Sequence, residues 1–217
     1  MNNMEQSRFN MIEQQIRPWD VHDMQVLGLL STVKREQFVP EGKQGLAFMD
    51  IEIPLGFGVS MWQPKLEARV LHELQVHKNE RVLEVGTGSG YLTALLSRLA
   101  AQVASVEIVP ELSVQAAHKL AAHDFGNVQL ETGDASSSWG STKYDVIVLT
   151  GSLPVYPKAF QQQLSVGGRL FAIVGDAPVM EAMLVTRRSN DVFELVTLFE
   201  TNIAALQNAP QPQHFEF

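Results

Sequence analysis

Apolar runs that alternate with amphipathic segments predict strands and helices in regular succession from residue 64 onward. Strands are predicted at 81–85, 103–107, 128–131, 144–150 and 169–174. Helices are predicted at 64–74, 91–99, 110–122 and 153–164, with a turn at Gly167-Gly168. This alternation is typical of a doubly wound α/β fold, in which helices cover both faces of a mostly parallel sheet.

The last two apolar runs, 182–187 and 193–199, have no helix between them and predict an antiparallel hairpin at an edge of the sheet. Before the sheet, apolar spacing over residues 4–35 predicts an N-terminal helical extension that breaks at Arg17-Pro18-Trp19. Asp20 is the expected N-cap of its second helix, and Lys34-Arg35 the charged end of that helix.

Residues 41–64 are predicted to be irregular because glycine and proline punctuate them. The aromatic residues among them indicate either a loop over a ligand site or a lid that packs on the core. We therefore expect N-terminal helices and this loop at 1–76, packed on a sheet domain at 77–207, and a flexible tail at 208–217.

Three glycines, Gly86, Gly88 and Gly90, follow the first predicted strand and precede a helix. Such a turn lets the backbone approach a ligand closely and presents unpaired helix N–H groups to it. The G-x-G-x-G spacing differs from the G-x-G-x-x-G of dinucleotide-binding proteins, which disfavours a nicotinamide-dependent oxidoreductase. A structural turn without a ligand is the competing interpretation.

Three acids fall at the ends of three successive strands: Glu84, Glu107 and Asp134. Ligands of doubly wound sheets bind outside the carboxyl ends of the strands. Glu107 follows Gly86 by 21 residues, near the spacing at which an acid accepts hydrogen bonds from both ribose hydroxyls. Asp134 is placed to accept from an adenine amino group. Together with the glycine turn, the three acids predict a nucleoside-containing ligand.

Composition narrows the classes of protein further. The formal net charge of −8 argues against a general nucleic-acid binder, and no apolar run is long enough to span a bilayer. The absence of cysteine excludes thiolate catalysis and cysteine-based zinc sites. The histidine pairs 72/77 and 118/123 lie on different helical faces, so we predict no metal. A cytoplasmic protein with no membrane partner, and a monomer, is the expectation.

One run of the chain resembles motif I of class I S-adenosylmethionine-dependent methyltransferases: Val82-Leu83-Glu84-Val85-Gly86-Thr87-Gly88-Ser89-Gly90-Tyr91. More narrowly, it resembles the protein-L-isoaspartate O-methyltransferase family. Supporting similarities lie at 33–40, which reads V-x-R-E-x-F-V-P, and at 58–64, 127–134, 144–148 and 164–170. The resemblance therefore covers nearly the whole chain.

This resemblance implies a Rossmann-like methyltransferase sheet, S-adenosyl-L-methionine as cofactor, and isoaspartyl proteins or peptides as substrates for carboxyl methylation in protein repair. It places the methionine part of the cofactor along the turn, the ribose at Glu107 and the adenine edge at Asp134-Ala135. The cofactor-binding residues are then Glu84, Gly86, Thr87, Gly88, Ser89, Gly90, Glu107, Asp134 and Ala135. We expect Gly86→Val or Asp134→Ala to weaken cofactor binding without unfolding the protein.

The loop that carries the acceptor site departs from the family pattern, which reads approximately G-x-T-I-S-x-P. Here it reads Gly58-Val59-Ser60-Met61-Trp62-Gln63-Pro64, so Trp62 stands where the family has the serine that contacts the substrate carboxylate. Ser60 and Trp62 are therefore the candidate catalytic residues. Two alternatives stay open on these grounds: a methyltransferase with a different acceptor, and a cofactor-binding protein without transfer activity.

Overall fold

The computed structural model describes residues 3–212. Its N-terminal extension contains α1 (Asn3–Met11) and α2 (Met24–Thr32), separated by a π-helical turn at Ile12–Ile16 and a 3₁₀ turn at Arg17–Trp19. The predicted break is confirmed, but the predicted cap is wrong. Asp23 caps α2 by accepting from the N–H groups of Gln25 and Val26, at 2.7 and 3.3 Å. Asp20 instead ends the 3₁₀ turn in the left-handed conformation, with φ 58°.

The segment predicted to be irregular contains a short two-stranded antiparallel sheet, which we call the acceptor hairpin: β1 (Ile53–Gly56) and β2 (Val59–Met61). Gly56, Phe57 and Gly58 all have positive φ, so the turn between the strands uses the conformation that glycine tolerates best. Helix α3 (Pro64–Leu74) then begins where proline favours a first helical position, as predicted.

A seven-stranded sheet forms the centre of the molecule, with the strand order β5-β4-β3-β6-β7-β8-β9. Its strands are β3 (Arg81–Val85), β4 (Gln102–Glu107), β5 (Val128–Thr132), β6 (Tyr144–Leu153), β7 (Leu164–Asp176), β8 (Val179–Arg187) and β9 (Phe193–Thr201). The helices among them are α4 (Tyr91–Leu99), α5 (Pro110–Ala122) and α6 (Lys158–Gln162). Strands β3 to β7 are parallel, and β8 and β9 form the predicted antiparallel edge hairpin.

The region between β6 and β7 differs from the prediction. The helix predicted at 153–164 is only α6, because β6 continues to Leu153 and the prolines at 154 and 157 disfavour helix before them. The glycine pair predicted as a turn lies inside β7. There the pairing changes register between Tyr144 and Val146, so the extra residues of β7 form a bulge.

Two apolar clusters cover the two faces of the sheet. The larger one joins the N-terminal extension, α3 and α4 to the sheet. The smaller one includes Phe160 of α6 and Ala209, a residue of the segment predicted to be a flexible tail. Residues 213–217 of that segment lie outside the described residues. Within residues 3–212, no helix is long and apolar enough to cross a membrane.

Candidate active site

A cleft of about 950 Å³, including the solvent at its mouth, opens at the carboxyl ends of β3, β4 and β6. The chain leaves β3 towards β4 and β5 on one side and returns to β6 on the other, so this is the point where the strand order reverses. The acceptor hairpin forms one wall. Residues 203–207, which follow β9, form another.

The glycine turn after β3 is tight on its inner side. Gly86 has φ +95°, and a Cβ there would lie 2.1 Å from Oγ1 of Thr150. That hydroxyl lies within hydrogen-bond distance of the carbonyls of Val85 and Gly86, at 2.9 and 2.7 Å. A valine at Gly86 is therefore expected to disturb the fold as well as the ligand site, contrary to the expectation from sequence.

Gly90 does not line the cleft. It has φ +81° and precedes the first residue of α4, and a Cβ there would lie 3.1 Å from the Cβ of Ala116 in α5. Glycine is needed at this position because it lacks a Cβ, which permits both the positive φ of the turn and the close packing of α5. Gly86, Thr87, Gly88 and Ser89 do line the cleft, as predicted for a ligand-binding turn.

Glu84 lies fully buried beneath the turn, in a chain of hydroxyl groups. Its Oε2 accepts from Thr93 and, at 2.6 Å, from Ser105. Because the single Ser105 hydroxyl hydrogen is used there, Thr87 is the donor in the 2.6 Å contact between Thr87 and Ser105. Oε1 of Glu84 has no hydrogen-bond partner among the described residues. Burial raises the pKa of this carboxyl to about 8, and the nearby Glu107 adds to that rise.

Glu107 ends β4 and is almost completely buried at the cleft wall. Each of its oxygens accepts one backbone hydrogen bond, from Gly88 N–H at 2.8 Å and from Val109 N–H at 3.0 Å. These bonds fix the carboxylate plane against the glycine turn. Each oxygen keeps a second lone pair for a ligand.

Asp134 follows β5, the strand that pairs with β4, and is exposed where it lines the cleft. Its Oδ1 accepts from Ser136 N–H at 2.9 Å, and its Oδ2 accepts from the side-chain amide of Asn208 at 2.9 Å. These hydrogen bonds, that of Ser136 first, lower the pKa of the carboxyl. Ala135, predicted to contact the same ligand, is buried in the smaller apolar cluster and does not line the cleft. Ser136 lines it instead.

The acceptor hairpin brings Ser60 and Trp62 to the cleft, as the sequence predicts. Ser60 is half-buried, and its hydroxyl has no hydrogen-bond partner among the described residues, so it is free to bond a ligand. Trp62 is 6% exposed, and its ring meets that of Phe171 of β7 edge-on, with the ring centroids 6.4 Å apart. Glu52 lies at the base of the hairpin on the same wall, and burial raises its pKa.

Behind this wall lies a buried ion pair that the sequence did not indicate. Arg35, interpreted from the sequence as part of a charged helix end, is 1% exposed and forms an ion pair with Glu67 of α3. Glu67 also lines the cleft. Burial raises the pKa of Glu67, and the adjacent guanidinium opposes that rise.

Sequence reasoning also missed two other parts of the cleft. Thr150, the last residue of the strand predicted at 144–150, could have been found by extending the strand-end rule to that fourth strand, although β6 itself continues to Leu153. The wall at 203–207 carries no motif, and it is held by long-range bonds. Ser152 N–H donates to Ala204 O at 3.0 Å, and Leu206 N–H donates to Ser152 O at 2.9 Å.

Charge indicates which kind of ligand fits. In the described part of the chain, the lining includes five carboxyl side chains and no lysine, arginine or histidine. Even with Glu84 protonated, such a wall repels a pyrophosphate and suits a ligand with a positive centre. The remaining acceptor lone pairs of Glu107, the unpartnered Oε1 of Glu84 and the backbone of the glycine turn fit a sulfonium-bearing nucleoside. This sheet and this cleft are those of a class I S-adenosylmethionine-dependent methyltransferase.

Comparison with known proteins gives the family. The family model for protein-L-isoaspartate(D-aspartate) O-methyltransferase matches residues 6–208. Protein-L-isoaspartate O-methyltransferase 1 of Rhodopseudomonas palustris (strain HaA2) is 40% identical over 186 residues, which are 85% of this chain and 76% of that protein. The protein of the same name from Anaeromyxobacter sp. (strain Fw109-5) is 41% identical over 179 residues, 82% of this chain and 84% of that protein.

The fold is also that of a solved structure. A crystal structure from Plasmodium falciparum, described as a protein-L-isoaspartate O-methyltransferase in complex with S-adenosyl-L-homocysteine, superposes with a TM-score of 0.80. The alignment covers 95% of this chain and 99% of that one at 18% identity, so it supports the fold alone. By the family model and the two relatives, the chain belongs to the protein-L-isoaspartate O-methyltransferase family.

Proposed function

We propose that this protein transfers a methyl group from S-adenosylmethionine to the α-carboxylate of L-isoaspartyl residues in damaged proteins. The observation that carries the proposal is the family match over residues 6–208, which includes the acceptor hairpin as well as the cofactor cleft. The named relatives do not support either alternative, a different acceptor or a cofactor-binding protein without transfer.

On the cofactor side, the backbone of the glycine turn would contact the methionine part of the cofactor and the free lone pairs of Glu107 would accept from the ribose hydroxyls. The Asp134 carboxylate already accepts from Ser136 N–H and from the Asn208 side-chain amide, and would accept a further hydrogen bond from the adenine amino group. When bound, S-adenosylmethionine supplies an electrophilic methyl group on a sulfonium. The protein then has to hold the acceptor oxygen in line with that group.

On the acceptor side, the Ser60 hydroxyl is placed to donate a hydrogen bond to the substrate carboxylate. Trp62 does not need to block the site, because its ring packs against Phe171 and little of it is exposed. An acidic wall disfavours a carboxylate until a cation is present. The positive charge of the cofactor would therefore be the counter-charge of the acceptor.

The proposal also covers the substrates, the cellular compartment and the oligomeric state of the protein. The substrates are protein or peptide segments that carry isoaspartyl residues. We further propose that the protein acts in the cytoplasm, as a monomer, without nucleic acid or membrane. The formal net charge of −8 supports the exclusion of nucleic acid.

The test is transfer of radiolabelled methyl groups to an isoaspartyl peptide, with the sequence-matched aspartyl peptide as control. We expect base-labile label on the isoaspartyl peptide alone. A Glu107→Gln variant, which keeps the size of the side chain, should lose about tenfold in affinity for S-adenosylhomocysteine because a charged acceptor is lost. Absence of label with an intact calorimetric signal for the cofactor product would refute the proposed acceptor.

A further inference from the structure

Arg35 is the most completely buried charged side chain with no role in the chemistry above. Its Nε donates to Ala47 O at 2.9 Å, one terminal nitrogen donates to Glu67, and the other donates to Trp62 O at 2.6 Å. The guanidinium also lies over the Tyr91 ring, 5.1 Å from its centroid. One side chain thus joins four segments that are distant in sequence.

Two of these contacts bear directly on the side of the cleft that is formed by the acceptor hairpin, Trp62 and Glu67, which we call the acceptor wall. Trp62 follows β2 and Glu67 lies in the first turns of α3, and both line the cleft. The carbonyl of Trp62 is fixed by Arg35, so the path of the backbone between the hairpin and α3 depends on that bond. Tyr91, the first residue of α4, ties the same guanidinium to the end of the glycine turn.

We propose that Arg35, held by Glu67, is a positioning residue that fixes the backbone at Trp62 and so sets the distance from the acceptor wall to the cofactor turn. Arg35 itself does not line the cleft. The inference rests on the proposed function only in that the isoaspartyl peptide is the substrate bound at this wall. Arginine is required because three acceptors diverge around one planar group, whereas a lysine ammonium is a single point of charge.

A second arginine offers a matched control. Arg169 of β7 donates to Leu74 O, to Gln75 O and to Glu80, so it also joins carbonyls and a glutamate. It lies at the amino end of the sheet, beside Glu80 and the start of β3, whereas the cleft lies at the carboxyl ends. Arg169→Lys therefore loses similar bonds without touching the acceptor wall.

The experiment compares Arg35→Lys with Arg169→Lys in the full chain. For Arg35→Lys we expect kcat/KM with the isoaspartyl peptide to fall about 100-fold, since a displacement near 1 Å is enough for such a loss. The larger part should be in the KM for the peptide, while affinity for S-adenosylhomocysteine stays within about threefold. Arg169→Lys should lower the melting temperature and leave kcat/KM unchanged.

A readout independent of activity separates this inference from the proposed function. Replacing Trp19 and Trp139 by phenylalanine leaves Trp62 as the only tryptophan of the three. In that background we expect Arg35→Lys to increase acrylamide quenching of Trp62, and Arg169→Lys not to. If Arg35→Lys does not fold, Glu67→Asp serves instead, because it keeps the charge but draws the guanidinium away from the Trp62 carbonyl.

The outcomes are distinct. A folded Arg35→Lys variant with unchanged peptide KM and unchanged Trp62 quenching would overturn the inference. A wild-type protein that methylates no isoaspartyl peptide would overturn the proposed function, and the quenching comparison would still decide whether Arg35 positions the wall.

Discussion

The proposed cofactor side and the proposed acceptor side of the cleft are built in different ways. The cofactor side consists of a glycine turn and strand-end acids, whose positions follow from β3, β4 and their backbone hydrogen bonds. The acceptor side consists of a short hairpin outside the main sheet, held from behind by Arg35. The first depends on local geometry, and the second depends on contacts between distant segments.

Two buried glutamates mark this difference. Glu84, on the cofactor side, is bonded only to hydroxyl groups, whereas Glu67, on the acceptor side, is bonded to a guanidinium. Burial raises the pKa of both. Neutral glutamine should therefore be costly at Glu67, where it removes the charge that faces the guanidinium, and mild at Glu84, whose neighbours are neutral hydroxyl groups.

The largest effect is expected at Glu67. Glu67→Gln leaves the Arg35 guanidinium buried without its carboxylate, and breaking a buried pair in this way costs about 3–5 kcal/mol. Urea unfolding at pH 7 measures this loss of stability. A loss below about 1 kcal/mol would mean that Glu67 is protonated in the native protein and that the ion pair does not hold the wall.

What the sequence predicts follows the same division. The turn and the three strand-end acids were found because strands, glycines and acids stand next to one another in the chain. Arg35 was misinterpreted because its hydrogen-bond partners lie 12 to 32 residues away, so that its neighbours in sequence, Lys34 and Glu36, show nothing of its burial. The hydrogen bonds from Asn208 to Asp134 and from Gln207 to the Phe57 carbonyl join residues that are still further apart in the sequence.

Two predictions of secondary structure, the N-cap of α2 and the helix at 153–164, were wrong for reasons that lie in the neighbouring residues. Asp20 and Asp23 are both capable N-caps, and the 3₁₀ turn at Arg17–Trp19 decided between them. The helix predicted at 153–164 had helical composition, but β6 extends further than its apolar core. Periodicity alone does not show where a buried strand ends.

The two glycine turns give the next comparison. Gly86→Ala places a Cβ against Oγ1 of Thr150 at positive φ, so we expect a loss of about 3 kcal/mol from overpacking and backbone strain. Gly58→Ala, in the turn of the acceptor hairpin, meets no atom within 4 Å and should cost about 1 kcal/mol from its φ of +77° alone. Denaturant unfolding of both variants measures the difference. Equal losses would show that the cofactor turn is no more crowded than the acceptor turn.

The pH dependence that Glu84 contributes is a further effect, smaller than the losses expected at Glu67 and Gly86. The pKa of Glu84 is raised from 4.5 to about 8, so the folded protein keeps a proton that the unfolded chain releases above pH 4.5. The stability from this proton is fully present below pH 4.5 and is lost as the pH rises towards 8. Relative to Glu84→Gln, the wild type should therefore lose about 2 kcal/mol between pH 5 and pH 8, since one pKa unit corresponds to about 1.4 kcal/mol and relaxation reduces the full shift. If the free energy of unfolding of the two proteins changes equally with pH over this interval, Glu84 is ionised beneath the turn. The hydroxyl groups of Thr93 and Ser105 then suffice to hold its charge.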